Sequence, residues 1–285
     1  MAFRIVTDSG CDFTAEEYSR RELVCQPLTV DFRGETYPYR NDDTLGDFYQ
    51  GLRNGEVAKT SAVNPQQWSD TIRHILDQGE DVLVLAFSSG LSTTYQSAVI
   101  AAGELREEYP QRDIRVVDTR SASLGQGLLV HYAAQLRDQG KSLEETTQWV
   151  EENKLHLCHW FTVDDLMYLK RGGRISGATA VLGTMLSIKP VLHMDDEGHL
   201  INMSKARGRK AAIRALADKM AQLGEGYDNS TVFICHGDCL EDARYLEQLV
   251  REHGAKNVYI GYVGAVIGSH SGPGTLSVFF LGKER

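Results

Sequence analysis

Four stretches of the 285-residue chain gather hydroxyl, imidazole and small side chains at the ends of apolar runs. Open α/β sheets put their binding residues at such places. Thr7-Asp8-Ser9, with Asp12 close by, follows an N-terminal apolar run, and capping of the next helix accounts for it as well as ligand binding does. Lys59-Thr60-Ser61 offers a hydroxyl pair ahead of a helix that should open at Pro65. Phe87-Ser88-Ser89-Gly90-Leu91-Ser92-Thr93-Thr94-Tyr95 leaves an apolar run and enters a helix. Hydroxyls and free N–H groups there suit a carboxylate or phosphate, although a Ser/Thr-rich helix start is by itself more often plain capping. In Gly264 to Gly274 the positions after Gly268 mark a tight loop, where His270 stands among residues too small to shield it. A lone histidine is usually structural, but one framed by Gly, Ser and Pro can approach a ligand closely.

A cation is available for an anion. Asp164 to Ser176 reads as a short helix stopped by Gly172-Gly173, with Arg174 just beyond the stop, where a surface salt bridge is the competing role. Leu182 to Pro190 carries small and apolar residues, which are more often core than pocket. The nucleophile elbow, the phosphate-binding loop and the dinucleotide-binding turn are all missing. His156, Cys158 and His159 are neighbours in sequence, but a strand would send adjacent side chains to opposite faces, so no metal site is assigned. His236-Gly237-Asp238 with Cys239 is no stronger a metal candidate.

The elements that must position these groups follow from hydrophobic pattern. Phe3–Thr7 reads as a strand, and Thr14 caps a helix start. Asp81–Phe87 is too continuous to be half exposed and reads as a strand of a parallel sheet. Thr93–Tyr109 is a helix, Ile114–Asp118 a strand and Ser123–Gln139 a helix. This alternation predicts a doubly wound, mostly parallel sheet over residues 1–157, with a small β excursion over Gln26–Tyr39.

From residue 158 the grammar changes. Pro190–Met194 and His199–Met203 form a strand pair across a turn at Asp195–Gly198. Helices at Arg207–Leu223 and Glu241–His253 and strands at Thr231–Cys235, Asn257–Tyr262 and Leu276–Leu281 complete an α+β domain with a mixed sheet over 158–285. The class is therefore α/β, in two domains.

Composition limits the function. Hydrophobic residues at 42% and charged residues at 24% describe a folded globular protein. With 30 Lys+Arg against 39 Asp+Glu the chain is acidic, a poor match for nucleic acid. The imbalance is local, since residues 1–157 carry 15 basic and 25 acidic side chains and the remainder 15 and 14. Lys170, Arg171 and Arg174 cluster, as do Lys205, Arg207, Arg209, Lys210 and Arg214, either as a solvated face or as a local anion or partner site. No apolar run exceeds Val82–Phe87, and Met1 to Ser9 does not read as a secretory signal. Five cysteines without CxxC spacing suggest reduced thiols in a cytoplasmic protein.

Taken together, the segments resemble the DegV family of bacterial fatty-acid-binding proteins across nearly the whole chain. The resemblance rests on Thr7-Asp8-Ser9 with Asp12, Thr60-Ser61 with Pro65, Ser88-Ser89-Gly90-Leu91-Ser92 and Val117-Asp118-Thr119. It continues through Leu169-Lys170-Arg171-Gly172-Gly173-Arg174-Ile175, Ile188-Lys189-Pro190 and Gly268-Ser269-His270-Ser271-Gly272-Pro273-Gly274. It implies a fold related to the substrate domain of dihydroxyacetone kinases, with a long acyl chain between the two domains. Similarity to the fatty-acid-kinase binding subunits implies a lipid-binding protein rather than an enzyme. It would hold a fatty acid such as palmitate while a separate ATP-dependent kinase makes the acyl phosphate for phospholipid synthesis.

By this resemblance Thr60 and Ser92 donate to the carboxylate, with Ser61, Ser89, Thr93, Arg174 and His270 in support. No catalytic residue, metal or other cofactor is implied, and membrane contact would be transient at most. Thr93 departs from the glycine common at that position and could tighten the headgroup pocket or change which hydroxyl makes the contact. The alternative is a small-molecule kinase subunit or hydrolase with His270 or Ser92 as nucleophile, which needs a base within reach and a third group orienting it.

Overall fold

The computed structural model describes residues 3–37, 44–175 and 188–285. The first part runs β1 (Phe3–Asp8), a 3-10 turn (Ser9–Cys11), α1 (Ala15–Arg20), β2 (Leu23–Gln26), β3 (Thr29–Phe32), β4 (Glu35–Thr36) and α2 (Leu45–Arg53). It continues with β5 (Lys59–Ser61), α3 (Pro65–Asp77), β6 (Asp81–Ala86), α4 (Thr94–Glu108), β7 (Ile114–Asp118), α5 (Ser123–Asp138) and α6 (Leu143–Asn153). Then follow β8 (Leu157–Thr162), α7 (Met167–Arg171), β9 (Ile188–Met194), β10 (Leu200–Arg207) and α8 (Arg209–Leu223). The last elements are β11 (Thr231–His236), α9 (Leu240–Glu252), β12 (Asn257–Tyr262), α10 (Ala265–Ser271) and β13 (Leu276–Leu281).

Every residue of β6 is buried, so both faces of its sheet are covered, as an all-parallel sheet requires. The sheet order is β2-β1-β6-β7, with each neighbouring pair parallel. Helices α3 and α4 pack together against β6, while α5 and α6 pack together against β1, β6 and β7. The second sheet, in the order β10-β9-β8-β13-β11-β12, is antiparallel except for the β11–β12 pair. Thus a parallel and a mixed sheet are both present. Helix α5 touches β1 of the first sheet and β8, β11 and β13 of the second. One apolar cluster accordingly runs from Ile5 and Leu83 through Leu128 to Phe233 and Phe279.

The turn between β9 and β10 ties the sheets together at one end. Asp195 accepts hydrogen bonds from the amides of Glu197 (3.0 Å) and His199 (2.8 Å), and Gly198 takes a φ of +80°. The Ser88 hydroxyl donates to Gly198 O at 2.9 Å, Arg120 donates to Asp196 O, and Arg285 donates to Asp195 O at 3.2 Å. A Cβ on Gly90 would lie 2.6 Å from Gly198 O, so the contact admits only glycine there.

Several sequence expectations need correction. The stretch after Gly268 is not wholly a loop. Ala265–Ser271 is helical, and Gly272 (φ +78°) and Gly274 (φ +76°) make the turn after it. The strand expected to stop at Met203 runs to Arg207, which places Lys205 and Arg207 on the edge strand β10. The excursion near Gln26–Tyr39 is the antiparallel sheet β4-β3-β5, which recruits Lys59–Ser61 from further along the chain. Helices α2 and α6 and strand β2 were not marked by the pattern. Pro38 and Tyr39, Ser176, and residues 182–187 of the small apolar segment lie outside the described residues.

Candidate ligand-binding site

A cavity of about 460 Å³ opens between the two sheets, with walls drawn from both halves of the chain. One corner is polar. Beyond strand β5, Asn64 opens α3 with a capping box, accepting from the amide of Gln67 while the Gln67 side chain accepts from the amide of Asn64, both at 2.9 Å. Side chains on β5 alternate, so Thr60 turns inward while Lys59 and Ser61 are exposed. Two carboxylates hold the loop after β6. The Phe87 amide donates to Asp8 at 2.7 Å, and Ser89 donates to Asp118 from its amide (3.1 Å) and its hydroxyl (2.5 Å). Ser92 sits at the start of α4, its Oγ 2.9 Å from Thr94 Oγ1 and accepting the Thr94 amide at 3.2 Å. Thr93, an exposed residue at the cavity wall, is the N-cap of α4 but makes no side-chain capping bond.

His270 and Arg174 complete the corner from the other half. His270 Nε2 is 2.8 Å from Thr60 Oγ1. Burial, then Arg174 and Arg171, push the imidazole down to about 4, so it is neutral at pH 7. Arg174 donates through Nε to Leu91 O (3.2 Å) and through Nη1 to Gly172 O (2.5 Å). Its pKa is lowered by burial, and no carboxylate among the described residues pairs with it. Neutral hydroxyls beside a half-buried cation with no counter-charge make a seat for one small anion.

Gly172 lets these groups meet. Its φ of −72° would accept alanine, but a Cβ would fall 2.3 Å from His270 Nδ1. We expect Gly172→Ala to displace the imidazole from Thr60 and destabilise the fold by roughly 1–3 kcal/mol through overpacking. Thermal melts together with the His270 imidazole NMR shifts check this, and unchanged values for both would refute it.

The cavity wall includes Thr60, Ser89, Ser92, Thr93, Arg174 and His270. Ser61 is absent from it, since it points to solvent from the opposite face of β5. Ser89 lines the wall, but its hydroxyl hydrogen is given to Asp118, so it cannot donate to an anion without breaking that bond. Thr7-Asp8-Ser9 and Asp12 lie outside the wall. Asp8 accepts the Gly10 amide at 2.9 Å as the cap of the 3-10 turn, and Thr7 donates to Leu85 O at 2.8 Å. Of the basic residues, Arg209 is tied to Asp242 (2.7 Å) and Asp164 (3.7 Å), whereas Lys205, Arg207 and Lys210 are exposed.

Much of the rest of the wall is apolar, including Phe87, Phe161, Met194, Ile267 and Phe279. Sequence reasoning missed these because an apolar residue at a sheet end reads the same whether it faces core or cavity. It also missed Ser123, Thr275 and Ser277, and it weighed His159 only as a metal ligand. His159 is instead engaged at both nitrogens, Nδ1 with Leu157 O (3.0 Å) and Nε2 accepting the Ala122 amide (3.4 Å). Among the described residues no cluster of three His, Cys, Asp or Glu could hold a metal ion, and no helix is long and apolar enough to cross a membrane.

The chain is similar to known proteins along its whole length. A family model described as "Uncharacterised protein, DegV family" matches residues 2–283. A DegV domain-containing protein of Clostridium perfringens is 46% identical over 99% of this chain and 98% of its own. A Thermus thermophilus structure concerned with fatty acid binding of a DegV family protein superposes with a TM-score of 0.89 at 34% identity, covering 99% of this chain and 100% of that one. The structure of DegV from Bacillus subtilis, described as a fatty acid binding protein, gives 0.82 at 31% identity over 99% and 100%. With the family model covering all but a few terminal residues and relatives matching end to end, the chain belongs to the DegV family.

Proposed function

We propose that the chain binds a long-chain fatty acid, its carboxylate at Thr60, Ser92, Arg174 and His270 and its hydrocarbon in the cavity between residues 1–157 and 158–285. The observation that carries this reading is the pairing of an apolar cavity with a single cationic corner in which Arg174 has no counter-charge among the described residues. Each buried methylene stabilises the complex by roughly 0.8 kcal/mol, so a long chain supplies most of the affinity while the corner fixes the carboxylate. The fatty acid binding of the Thermus thermophilus and Bacillus subtilis relatives supports the same assignment. A neutral His270 that donates from Nε2 to Thr60 leaves the Thr60 hydrogen free for the carboxylate, which is the orientation binding needs.

A hydrolase with Ser92 or His270 as nucleophile fits less well. The imidazole engages Thr60 rather than Ser92, and no carboxylate among the described residues orients it. We infer that the chain presents the bound acid to a separate ATP-dependent kinase for acyl-phosphate formation, with Arg174 and His270 beside the developing charge.

Thr60→Val and Ser92→Ala should each weaken fatty acid binding by about 1.5–3 kcal/mol, roughly ten- to a hundredfold, with the fold intact. Titration of delipidated protein with palmitate measures this, and mass spectrometry of lipid extracted from purified protein identifies the native ligand. Full affinity in the double variant would refute the headgroup assignment. Acyl-phosphate formation with a cognate kinase tests the presentation role separately.

A further inference from the structure

Ser92 and Thr94 share a hydrogen bond that decides where the Ser92 hydrogen goes. Their hydroxyl oxygens lie 2.9 Å apart, a distance that allows either to be the donor. Thr94 is fully buried at the first position of α4, and its Oγ1 has no other hydrogen-bond partner among the described residues. Ser92 is half-buried and lines the cavity, whereas Thr94 does not.

If Ser92 donated, the Thr94 hydrogen would be buried without an acceptor, which is unfavourable. If Thr94 donates, nothing is stranded, because Ser92 borders space that ligand or solvent fills. The second arrangement is the stable one. Ser92 Oγ then accepts twice from Thr94, from the hydroxyl at 2.9 Å and from the amide at 3.2 Å. A serine hydroxyl has two acceptor positions and one hydrogen. With both acceptor positions filled from Thr94, the hydrogen points away from Thr94. Thr94 is itself held in place, since the indole of the fully buried Trp68 donates to its carbonyl at 3.0 Å. Thr60 is served in the same way by His270, whose Nε2 lies 2.8 Å from the Thr60 oxygen.

We propose that Thr94 is a positioning residue of the headgroup site, which by donating to Ser92 Oγ commits the Ser92 hydrogen to the ligand carboxylate. This role rests on the reading of the cavity as a fatty acid site.

One test needs no ligand. Ser92→Ala strands the buried Thr94 hydrogen, whereas Ser92→Ala combined with Thr94→Val removes donor and acceptor together. The double variant should therefore melt about 2–4 °C above Ser92→Ala alone. A double variant that melts at or below the single one would overturn the assignment of the donor. A second test titrates the delipidated full chain with palmitate. Thr94→Val, which keeps the side-chain shape, should bind about three- to tenfold more weakly than the wild type, the worth of one ordinary hydrogen bond. Thr94→Ser keeps the donor and should bind within about twofold of the wild type. In a Ser92→Ala background, Thr94→Val should change affinity by less than about twofold, because its effect runs through the Ser92 hydrogen. No loss in either background would overturn the positioning role. So would an equal loss in both, which would make Thr94 a packing residue of α4. Failure of the wild type to bind palmitate would instead remove the fatty acid reading itself, and the melting comparison would still decide which hydroxyl donates.

Discussion

Arg174→Ala will lower affinity for a long-chain fatty acid by about 3 kcal/mol, a hundredfold or more, while leaving the melting temperature at or above its original value. The two effects have one cause. In the unliganded chain the guanidinium is partly desolvated and has no carboxylate partner among the described residues, so it stabilises the fold little. Its two protein acceptors, Leu91 O and Gly172 O, orient it but do not neutralise it. Once a carboxylate is seated, removing the cation leaves a buried negative charge held only by neutral donors, and breaking such a pair costs about 3–5 kcal/mol. The lower figure is appropriate because Arg174 is only half-buried. Arg174→Lys should fall between the two, keeping charge but losing the planar fork that reaches both carbonyls. Calorimetric titration and thermal melts read both quantities. Wild-type affinity in Arg174→Ala would move the carboxylate to another place in the cavity.

How much of this was legible beforehand varies residue by residue. Asp81–Phe87 announced a strand covered on both faces, and β6 is that strand to within one residue, because a continuous apolar run has few other solutions. Asn257–Tyr262 and Leu276–Leu281 were also readable to the residue. Thr60, Ser92, Arg174 and His270 were named from the segments that carry the family resemblance, and all four line one cavity. What failed were properties set by tertiary contact. Ser61 could not be told from Thr60 until the pairing of β5 with β3 settled which face was inward. Ser89 resembled Ser92 until Asp118 arrived from β7, some thirty residues along the chain, to claim its hydrogen. The glycines, serines and proline around His270 signal a loop after Gly268, yet Gly264 and Gly268 belong to a helix start and interior. These two glycines serve close packing, as a Cβ on Gly264 would lie 2.6 Å from Asp12 and one on Gly268 2.6 Å from the Tyr49 hydroxyl. Both positions are compatible with helix entry and interior, so the local signal for a loop was overruled by contacts that no local window contains.

Acid will unfold this chain at a pH where many proteins are still stable. Burial is the first cause of a lowered pKa for His131, His159, His193, His236 and His270, and it brings His131, His193 and His270 to about 4. Each stays neutral in the folded chain, while the unfolded chain binds a proton as pH falls through about 6.5. The stabilisation is therefore fully present above 6.5 and is lost progressively as pH falls toward 4. At full depth it amounts to about 3 kcal/mol for each of the three imidazoles brought to about 4. Asp8 acts in the opposite sense. Its burial raises it to about 6, so protonation favours the folded state as pH falls from there toward its ordinary value of 3.8, which offsets roughly one histidine. The net loss from His131, His193, His270 and Asp8 together is on the order of 6 kcal/mol, against a total stability of roughly 5–15 kcal/mol for an ordinary fold. Urea midpoints should thus hold steady from pH 8 to about 6.5 and fall steeply below it, with unfolding near pH 5 taking up two or more protons. His131→Gln, which keeps an acceptor near the Arg21 Nε that now donates to His131 Nδ1 at 3.3 Å, should flatten the slope by about one proton. Midpoints that stay level down to pH 5 would mean that these imidazoles titrate much as they do in water, and the electrostatic account of the His270 corner would fall with them.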